Sequence, residues 1–185
     1  MELSDIPGRV FLDTCTVNFI LDYGAQIHDG ATHPPNTCER DALDISALQL
    51  IFNHGQRMQW QLAISPHTYF EICNTRDTER LSALDFWFQE LWQYWRSTIE
   101  YNDDLPTFVE AEDERVRFLG SGYFAVLPDV SDRVLLCDAL VYRCDLFCTR
   151  DRSTIVKHRE EFNGLPLEIV TPVEWWQRIK PYAAL

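Results

Sequence analysis

Four short apolar runs, each followed by a helix-like segment, constrain the fold of this chain more than any other feature of its sequence. The runs are VFLD, WQLAIS, DLFCT and LEIVT, and each is short enough to be a buried strand. Strands that alternate with helices along a chain are typical of βαβ units, in which the strands are parallel. We therefore expect an α/β fold, a three-layer α/β/α sandwich around a central, mostly parallel sheet.

The rest of the chain divides into segments of different character. Its 185 residues, 46% of them hydrophobic, are enough for one domain with a substantial core. Residues 24–40 are rich in Gly and Pro and lack periodicity, which favours a loop insertion. The helical pattern of residues 41–55 stops at Gly55, as at a helix C-terminus. Residues 77–119 form a helical middle segment, whose Trp and Phe side chains we expect in the core or in an interface.

Targeting and cysteine patterns favour an intracellular location. No apolar stretch approaches the roughly 18 residues that a membrane span requires, and the N-terminus lacks the features of a secretory signal. The six cysteines form no CxxC pair and lie mostly in apolar segments, so we expect buried, reduced thiols. We therefore expect a cytoplasmic protein that does not associate with a membrane.

The net charge of −13 argues against binding to a polyanion through phosphate contacts alone. Acidic residues outnumber basic ones by 29 to 16, and the chain has no lysine-rich run. A nucleic-acid substrate would need a divalent metal and a few local arginines to offset this negative field. The candidates for phosphate contacts are Arg76, Arg80, Arg150 and Arg152, although each is equally well interpreted as a solvated helix or turn residue.

Two of the apolar runs end in an acid. VFLD ends at Asp13, and the run LFC is followed by TRD, which ends at Asp151. In a parallel sheet, ligands bind beyond the carboxyl ends of the strands, near the point where the strand order reverses. If the two strands are neighbours, both carboxylates lie at that edge. Glu71 follows the run LAIS on a helix, and Asp132 opens the helix before the last of these strands, so we expect both to approach the same edge.

The four acids favour a metal-dependent hydrolysis. Converging carboxylates repel one another and remain ionised together only where a cation offsets their charge. Hard oxygen ligands are the ones that Mg²⁺ or Mn²⁺ prefers. A metal held in this way can activate water and stabilise charge on a phosphoryl oxygen. The chemistry that this pattern indicates is hydrolysis of a phosphodiester bond.

Each acid also has a structural interpretation that needs no ligand. Asp13 and Asp151 are placed to cap the helices that follow them. Glu71 can face solvent, and Asp132 in the first turn of a helix is favoured by the macrodipole. The functional interpretation therefore depends on the occurrence of the four acids together.

The same stretches resemble the PIN-domain nucleases, a family that includes the toxin ribonucleases of bacterial toxin–antitoxin pairs. FLDTCTVNFIL is similar to the opening strand and first acid of the family, and AISPHTYFEI to the helix that carries the second acid. DRVLLCDALVYRCDLFCTRDRS is similar to the third element, in which an acid and a helix precede a strand that ends in T-x-D. EIVTPVEW resembles the closing strand. The likeness covers the first quarter and the last third of the chain.

The resemblance implies a site as well as a fold. Asp13, Glu71, Asp132 and Asp151 would be the catalytic residues that bind the metal, with Mg²⁺ or Mn²⁺ as the cofactor. The family also implies an RNA substrate and, if the chain is a toxin, an antitoxin protein that covers the site. A second copy of the chain is a further candidate partner.

Three more residues are candidates for accessory roles. Thr149 would correspond to the hydroxyl of the family's site, and Thr14 offers another hydroxyl directly after the first acid. Asp138 is the rival of Asp132 for the place of the third acid. The two lie about 240° apart around a helix, so they do not share a face. Asp132 is preferred because the start of the helix is nearer to the expected metal.

The leading interpretation is therefore a Mg²⁺- or Mn²⁺-dependent endoribonuclease, as a toxin or as a processing enzyme. Two alternatives stay open. A non-catalytic PIN-fold protein that binds RNA or another partner would suit the net charge. A haloacid-dehalogenase-like phosphatase also begins with an LDT strand end, but its nucleophile is followed two residues later by a second Asp, where this chain has Cys15.

Overall fold

A computed structural model describes residues 6–58, 60–73, 78–162 and 164–183. For residues 56–58, 73 and 78–85 it describes the backbone alone. Within these residues the strands are β1 (Arg9–Leu12), β2 (Gln61–Ala63), β3 (Leu146–Cys148) and β4 (Glu168–Val170). They form one sheet in the order β2–β1–β3–β4, and every neighbouring pair is parallel. The predicted α/β class with a parallel sheet is confirmed.

The two central strands are apolar because both of their faces are covered. All three residues of β3 are buried, as are Val10, Phe11 and Leu12 of β1. Strands buried on both faces are continuous hydrophobic runs rather than alternating ones. The Phe11 and Phe147 rings stack across the two strands with centroids 5.4 Å apart. This pairing ties the centre of the sheet into the core.

Helices make up most of the remaining chain. They are α1 (Thr14–Asp22), α2 (Gly24–Asp29), α3 (Glu39–Met58), α4 (Pro66–Cys73), α5 (Thr78–Glu100), α6 (Phe108–Gly120), α7 (Val130–Val141), α8 (Ile155–His158) and α9 (Pro172–Ile179). Short 3-10 turns follow α8 at Arg159–Phe162 and α9 at Lys180–Tyr182. Capping boxes at Thr107 and Thr171 fix the first turns of α6 and α9.

The crossover connections put helices on both faces of the sheet. The chain moves from β1 to β2 in one direction across the sheet and from β2 to β3 in the other, so right-handed connections place their helices on opposite faces. Helix α3 of the first crossover packs against α2 and α9, and α4 of the second crossover packs against α5 and α7, while α1 of the first crossover contacts α4 and α5. The arrangement is compatible with three α/β/α layers.

The structure corrects two local predictions. Residues 24–40, predicted as a loop, begin with the helix α2, because Ile27 becomes fully buried when this short segment packs on α3. Gly55 does not end a helix, since α3 continues to Met58. A Cβ atom at Gly55 would lie only 3.0 Å from Cζ2 of Trp60. The glycine therefore allows close approach of an indole ring and is not a terminating residue.

The long aromatic helix α5 contributes both to the core and to the surface. Trp95 and Phe88 are buried, whereas Phe86 is 76% exposed. The five cysteines whose side chains are described are free thiols, and Cys38 is the exposed one among them. None of the described helices combines the length and the apolar character needed to cross a membrane.

Candidate functional site

The predicted site lies where the chain changes direction across the sheet. β1 and β3 are hydrogen-bonded neighbours, and the connections that follow β1 and β2 run in opposite directions across the sheet. The backbone N–H of Asp13, directly after β1, donates to the carbonyl of Cys148 at the end of β3 (3.1 Å). The carboxyl ends of the two strands are thus aligned, and Asp151 follows three residues beyond β3. This edge is the switch point at which parallel sheets bind ligands.

Asp13 is a buried carboxylate held by two side chains from the site. Its Oδ2 accepts hydrogen bonds from Oγ1 of Thr149 (2.5 Å) and Sγ of Cys15 (2.7 Å). The side chain binds these groups instead of capping α1, which it precedes. Burial raises the pKa of Asp13, and the negative charge of Asp151 raises it further. Asp13 therefore points into the site and is electrostatically coupled to the second acid.

Asp151 organises the turn that leads into α8. Its Oδ1 accepts from the backbone N–H of Ser153 (2.9 Å) and of Thr154 (3.0 Å) and from Oγ of Ser153 (2.7 Å). Its Oδ2 accepts from the hydroxyl of Thr154. The capping interpretation of this acid thus holds for the turn, which is one of the roles expected for an Asp in this place. Asp151 also acts electrostatically on Asp13 and Asp132.

Asp132 is coupled to both of these carboxylates. It lies in the first turn of α7, and its Oδ2 is 3.4 Å from Oγ1 of Thr154, which also contacts Asp151. Desolvation first, and then the charges of Asp13, Asp129 and Asp151, raise the pKa of Asp132 to about 6. Asp13, Asp132 and Asp151 therefore form one electrostatic group, which we term the acid cluster.

The acid cluster opens to solvent on one side. A shallow cleft of about 650 Å³, which we term the acid cleft, is lined by Pro128, Asp129, Val130, Asp132, Asp151 and Thr154. Asp129 is an acid that the sequence interpretation missed. It caps α7, accepting from the backbone N–H of Ser131 (2.8 Å). The pattern D-x-S before a helix is the signal that identifies it.

The accessory hydroxyls tie the elements of the site together. Oγ1 of Thr149 donates to Asp13 and accepts from the backbone N–H of Asp151 (2.9 Å), so one side chain orients both acids. Oγ1 of Thr14 lies 3.0 Å from Oγ1 of Thr68 and joins α1 to α4. Thr149 is therefore part of the acid cluster's support, whereas Thr14 bridges two helices beside it.

Glu71 is linked to the acid cluster through other side chains. Its Oε1 lies 3.3 Å from Nε2 of His67, one helical turn earlier on α4. The same ring nitrogen is 3.1 Å from Oγ of Ser131, the residue before Asp132. Glu71 is about one-third exposed, unlike the buried Asp13. It stands at the rim of the site.

Asp138 is engaged elsewhere in the structure. Its buried carboxylate forms an ion pair with Nη1 of Arg115 (3.0 Å) and accepts from Oγ of Ser65 (2.5 Å). Burial raises the pKa of Asp138, while the hydroxyl and the guanidinium oppose that rise. Asp138 therefore joins α7 to α6 and to the loop after β2, and its charge is offset by a protein cation.

The two arginines beside Asp151 are bound to acids of α3. Nε of Arg150 donates to Oδ2 of Asp44 (2.9 Å), and a second nitrogen of Arg150 pairs with Asp41. Arg152 binds both oxygens of Asp44 (3.2 and 3.1 Å). Asp44 is fully buried, so the pair of guanidinium groups is what offsets its charge. Both cations are thereby directed towards α3. Of the other two candidates, Arg76 lies outside the described residues, and the side chain of Arg80 is among those not described.

Asp44 is the second residue that the sequence interpretation missed. It belongs to the same helical face as Ala47 and Leu48, which are buried. An acid on the apolar face of a helix indicates a buried partner. That pattern was readable from the sequence, but the identity of the partner was not.

The acid cluster meets only part of what a divalent metal requires. Among the described residues, no three His, Cys, Asp or Glu side chains are arranged to hold a metal ion. The donor atoms are nevertheless hard oxygens, and a cation would offset the repulsion that raises the pKa of Asp13 and of Asp132. The chemistry of the donors suits Mg²⁺ or Mn²⁺. Binding would require a metal to replace part of the hydrogen bonds that Asp13 and Asp151 now accept.

In comparisons with protein-family models, with curated proteins and with solved structures, nothing matches the chain.

Proposed function

We propose that the protein is a PIN-type nuclease that hydrolyses phosphodiester bonds in RNA with Mg²⁺ or Mn²⁺ as its cofactor. The observation that carries the proposal is the acid cluster, in which three aspartates are electrostatically coupled at the switch point between β1 and β3. Buried or partly buried groups with perturbed pKa values in a cleft are candidates for functional sites. The resemblance of the same residues to the PIN-domain family gives the reaction class.

The residues of the site have distinct roles in this proposal. Asp13 is the buried ligand, whose orientation Thr149 and Cys15 fix. Asp132 and Asp151 face the acid cleft and would hold the metal on the side where substrate enters. When bound, the metal would supply positive charge for the phosphoryl oxygens and activate a water molecule. Glu71 would act indirectly. Its contact with His67 would help to position the first turn of α7, which carries Asp132.

A second candidate function is a PIN-fold protein that binds a partner without catalysis. It is favoured by the hydrogen bonds that already occupy the carboxylates of Asp13 and Asp151. In such a protein the acids would serve the structure of the switch point. The two candidates differ in whether added metal binds at the acid cluster.

The phosphatase alternative is not favoured by the environment of Cys15. Burial first, and then the nearby charge of Asp13, raise the pKa of the Cys15 thiol to about 12. At neutral pH the thiol therefore remains protonated and donates to Asp13. So weak an acid is a poor proton donor to a leaving group, and this chain has no second Asp at that position. Cys15 therefore does not replace the second Asp that follows the nucleophile in the phosphatase family.

If the nuclease is a toxin, we propose an antitoxin that places a basic side chain in the acid cleft. An arginine there would replace the charge of the metal and pair with Asp132 or Asp151. The net charge of −13 would also favour association with a basic partner.

The test of the proposed function combines cleavage with metal binding. Purified protein is incubated with labelled RNA in Mg²⁺ or Mn²⁺, and the Asp13→Asn and Asp151→Asn variants are compared with Asp113→Asn. Asp113 is exposed on α6 and belongs neither to the acid cluster nor to the lining of the acid cleft, so this control removes one charge without changing a proposed site residue. We expect cleavage by the wild type and by the control. The cleavage rate of the other two variants should fall by at least about 100-fold, since even loss of an outer partner of a metal ligand costs about 10- to 100-fold.

Metal binding is measured separately as the rise in melting temperature that Mn²⁺ causes. The rise should be present in the wild type and reduced in Asp13→Asn. Wild-type turnover by either site variant at equal Mn²⁺ would exclude the assignment. RNA binding without cleavage, together with no stabilisation by metal, would favour the non-catalytic protein.

A further inference from the structure

A second concave site lies on the far side of His67 from the acid cluster. This aromatic pocket, of about 470 Å³, is enclosed by α4, α5, α6 and α7. Its aromatic wall consists of Tyr69, Phe70, Trp92 and Phe108, and Arg115 and Glu112 add polar atoms. The volume lies within the range of pockets that take small ring systems. The pocket is not used by the chemistry proposed for the acid cluster.

The rings of the wall form a continuous row. Tyr69 stacks on Trp92 with centroids 5.0 Å apart, and Trp92 lies 5.6 Å from Phe108. At the other end, Phe70 meets Tyr69 edge to face at 5.9 Å and is 62% exposed. Because Phe70 contacts the other rings of the wall, its exposure belongs to an aromatic patch and not to an isolated side chain, and such patches are candidates for binding surfaces. Phe70 therefore offers a ring face to a ligand from solvent.

The aromatic pocket adjoins the acid cleft across a single side-chain contact. His67 lines the pocket, and its Nε2 lies 3.1 Å from Oγ of Ser131. The next residue, Asp132, lines the acid cleft. The aromatic pocket and the acid cleft therefore lie next to each other, on either side of the contact between His67 and Ser131.

The charges around the acid cluster limit how such a ligand is held. Arg150 and Arg152, the arginines nearest to Asp151 in the sequence, are both bound to Asp44, and the net charge of the protein is −13. Contacts to phosphate are thus poorly provided for beside the acids. Stacking of bases on aromatic rings binds single strands without requiring a basic surface. The row of rings supplies that kind of contact next to the site.

We propose that the aromatic pocket binds an unpaired base of the RNA substrate and so selects single-stranded RNA. The inference rests on the proposed nuclease function, because it names how the substrate of that site is held. The base would stack against the exposed face of Phe70 and the neighbouring rings. Glu112 would accept from its edge in exchange for the contact that it now makes with Nη2 of Arg115 (3.3 Å), and that nitrogen would donate to the same edge, while Nη1 of Arg115 keeps its ion pair with Asp138. The adjacent nucleotide would then lie at the acid cleft.

The experiment measures binding of a fluorescent single-stranded oligoribonucleotide by anisotropy, in magnesium buffer, with Asp13→Asn as the parent so that cleavage does not interfere. Phe70→Ala is compared with Phe86→Ala in that parent. Phe86 on α5 is still more exposed than Phe70 (76% against 62%) and is not among the residues that line the pocket, so it is a control for the loss of an exposed phenylalanine ring. We expect Phe70→Ala to weaken binding about 5- to 100-fold and Phe86→Ala to leave it unchanged. Phe70→Trp should restore it.

Two further readouts distinguish base stacking from binding through phosphate contacts. A duplex of the same sequence should bind more weakly than the single strand, and the affinity should depend only weakly on salt. In the otherwise wild-type protein, Phe70→Ala should raise KM for RNA cleavage more than it lowers kcat.

The outcomes separate this inference from the proposed function. Equal affinity of the two alanine variants, tighter binding of the duplex, or no RNA binding at all would overturn the base-binding pocket, even if cleavage is observed. Loss of self-association in Phe70→Ala without an effect on RNA would also overturn it and identify the rings as a protein interface. Phe70-dependent RNA binding by a protein that cleaves nothing would retain the pocket and refute the nuclease.

Discussion

Replacing Asp132 by Asn should stabilise the metal-free protein at neutral pH. Asp132 is ionised there at a cost, because partial burial and the charges of Asp13, Asp129 and Asp151 raise its pKa from 3.8 to about 6. Asn has nearly the same shape, and its side-chain oxygen can still accept from Thr154. The substitution therefore removes the charge with little change in packing.

The size of the effect follows from the pKa. Each pKa unit corresponds to about 1.4 kcal/mol, so a rise from 3.8 to about 6 corresponds to about 3 kcal/mol as an upper value. The side chain is only half-buried, so solvent screening reduces this considerably. The positive end of the α7 dipole stabilises the charge of Asp132 by about 0.3–1 kcal/mol. The Asn variant loses this stabilisation, which reduces the net gain. We expect a net gain of about 1 kcal/mol in the free energy of unfolding.

The pH dependence has a definite sign. A carboxyl group whose pKa is raised by folding leaves the folded state most stable below the unfolded pKa of 3.8. Stability is then lost as the pH rises through the folded pKa of about 6. The Asn variant has no such loss at this position. Its advantage should be absent near pH 4 and complete above about pH 7.

The assay is urea denaturation with a chelator present, at a series of pH values. The wild type and Asp132→Asn are compared with Asp113→Asn, which removes one exposed charge and controls for net charge. A variant no more stable than the wild type at neutral pH would refute the coupling of the acid cluster. The same would follow from an equal gain near pH 4 or an equal gain in the control. Adding Mg²⁺ should narrow the difference if the acid cluster binds the ion.

Two further pairs of substitutions test contacts outside the acid cluster. Arg115→Met should destabilise the protein by about 3 kcal/mol in urea, because it leaves the buried charge of Asp138 unpaired, and adding Asp138→Asn should recover part of that loss. An Arg115→Met variant as stable as the wild type would contradict this. Gly55→Ala should lower stability by about 1 kcal/mol despite the helix propensity of Ala, because the new Cβ would lie 3.0 Å from the ring of Trp60. Gly120→Ala meets open space and should be neutral or stabilising by up to about 1 kcal/mol in thermal melts, and a reversed order of the two glycine variants would refute the packing argument.

The sequence by itself determined the elements that carry local patterns. The apolar runs identified all four strands of the described sheet, and the helical middle segment predicted over residues 77–119 contains α5 and all but the last residue of α6. The position of Asp13 and Asp151 after two of these strands was also readable. These features depend on the order of apolar and polar residues within a few turns or one strand, which is information that a short segment contains.

The tertiary structure decided which of these elements meet. The strand order β2–β1–β3–β4 makes β1 and β3 neighbours and brings Asp13 to Thr149, 136 residues later in the chain. In the same way, Asp44 binds Arg150 across a separation of 106 residues, so a candidate for a phosphate contact takes part in an internal ion pair.

The physical reason is that long-range partners compete for the same groups. An arginine near a predicted site binds whichever anion is buried with it, because an unpaired buried charge is costly. Likewise, the sequence pattern indicated that Gly55 ends a helix, whereas the structure shows that a glycine at this position allows the ring of Trp60 to pack closely. Local pattern identifies the chemical groups of a site, and the packing of distant segments determines which of them remain available for a ligand.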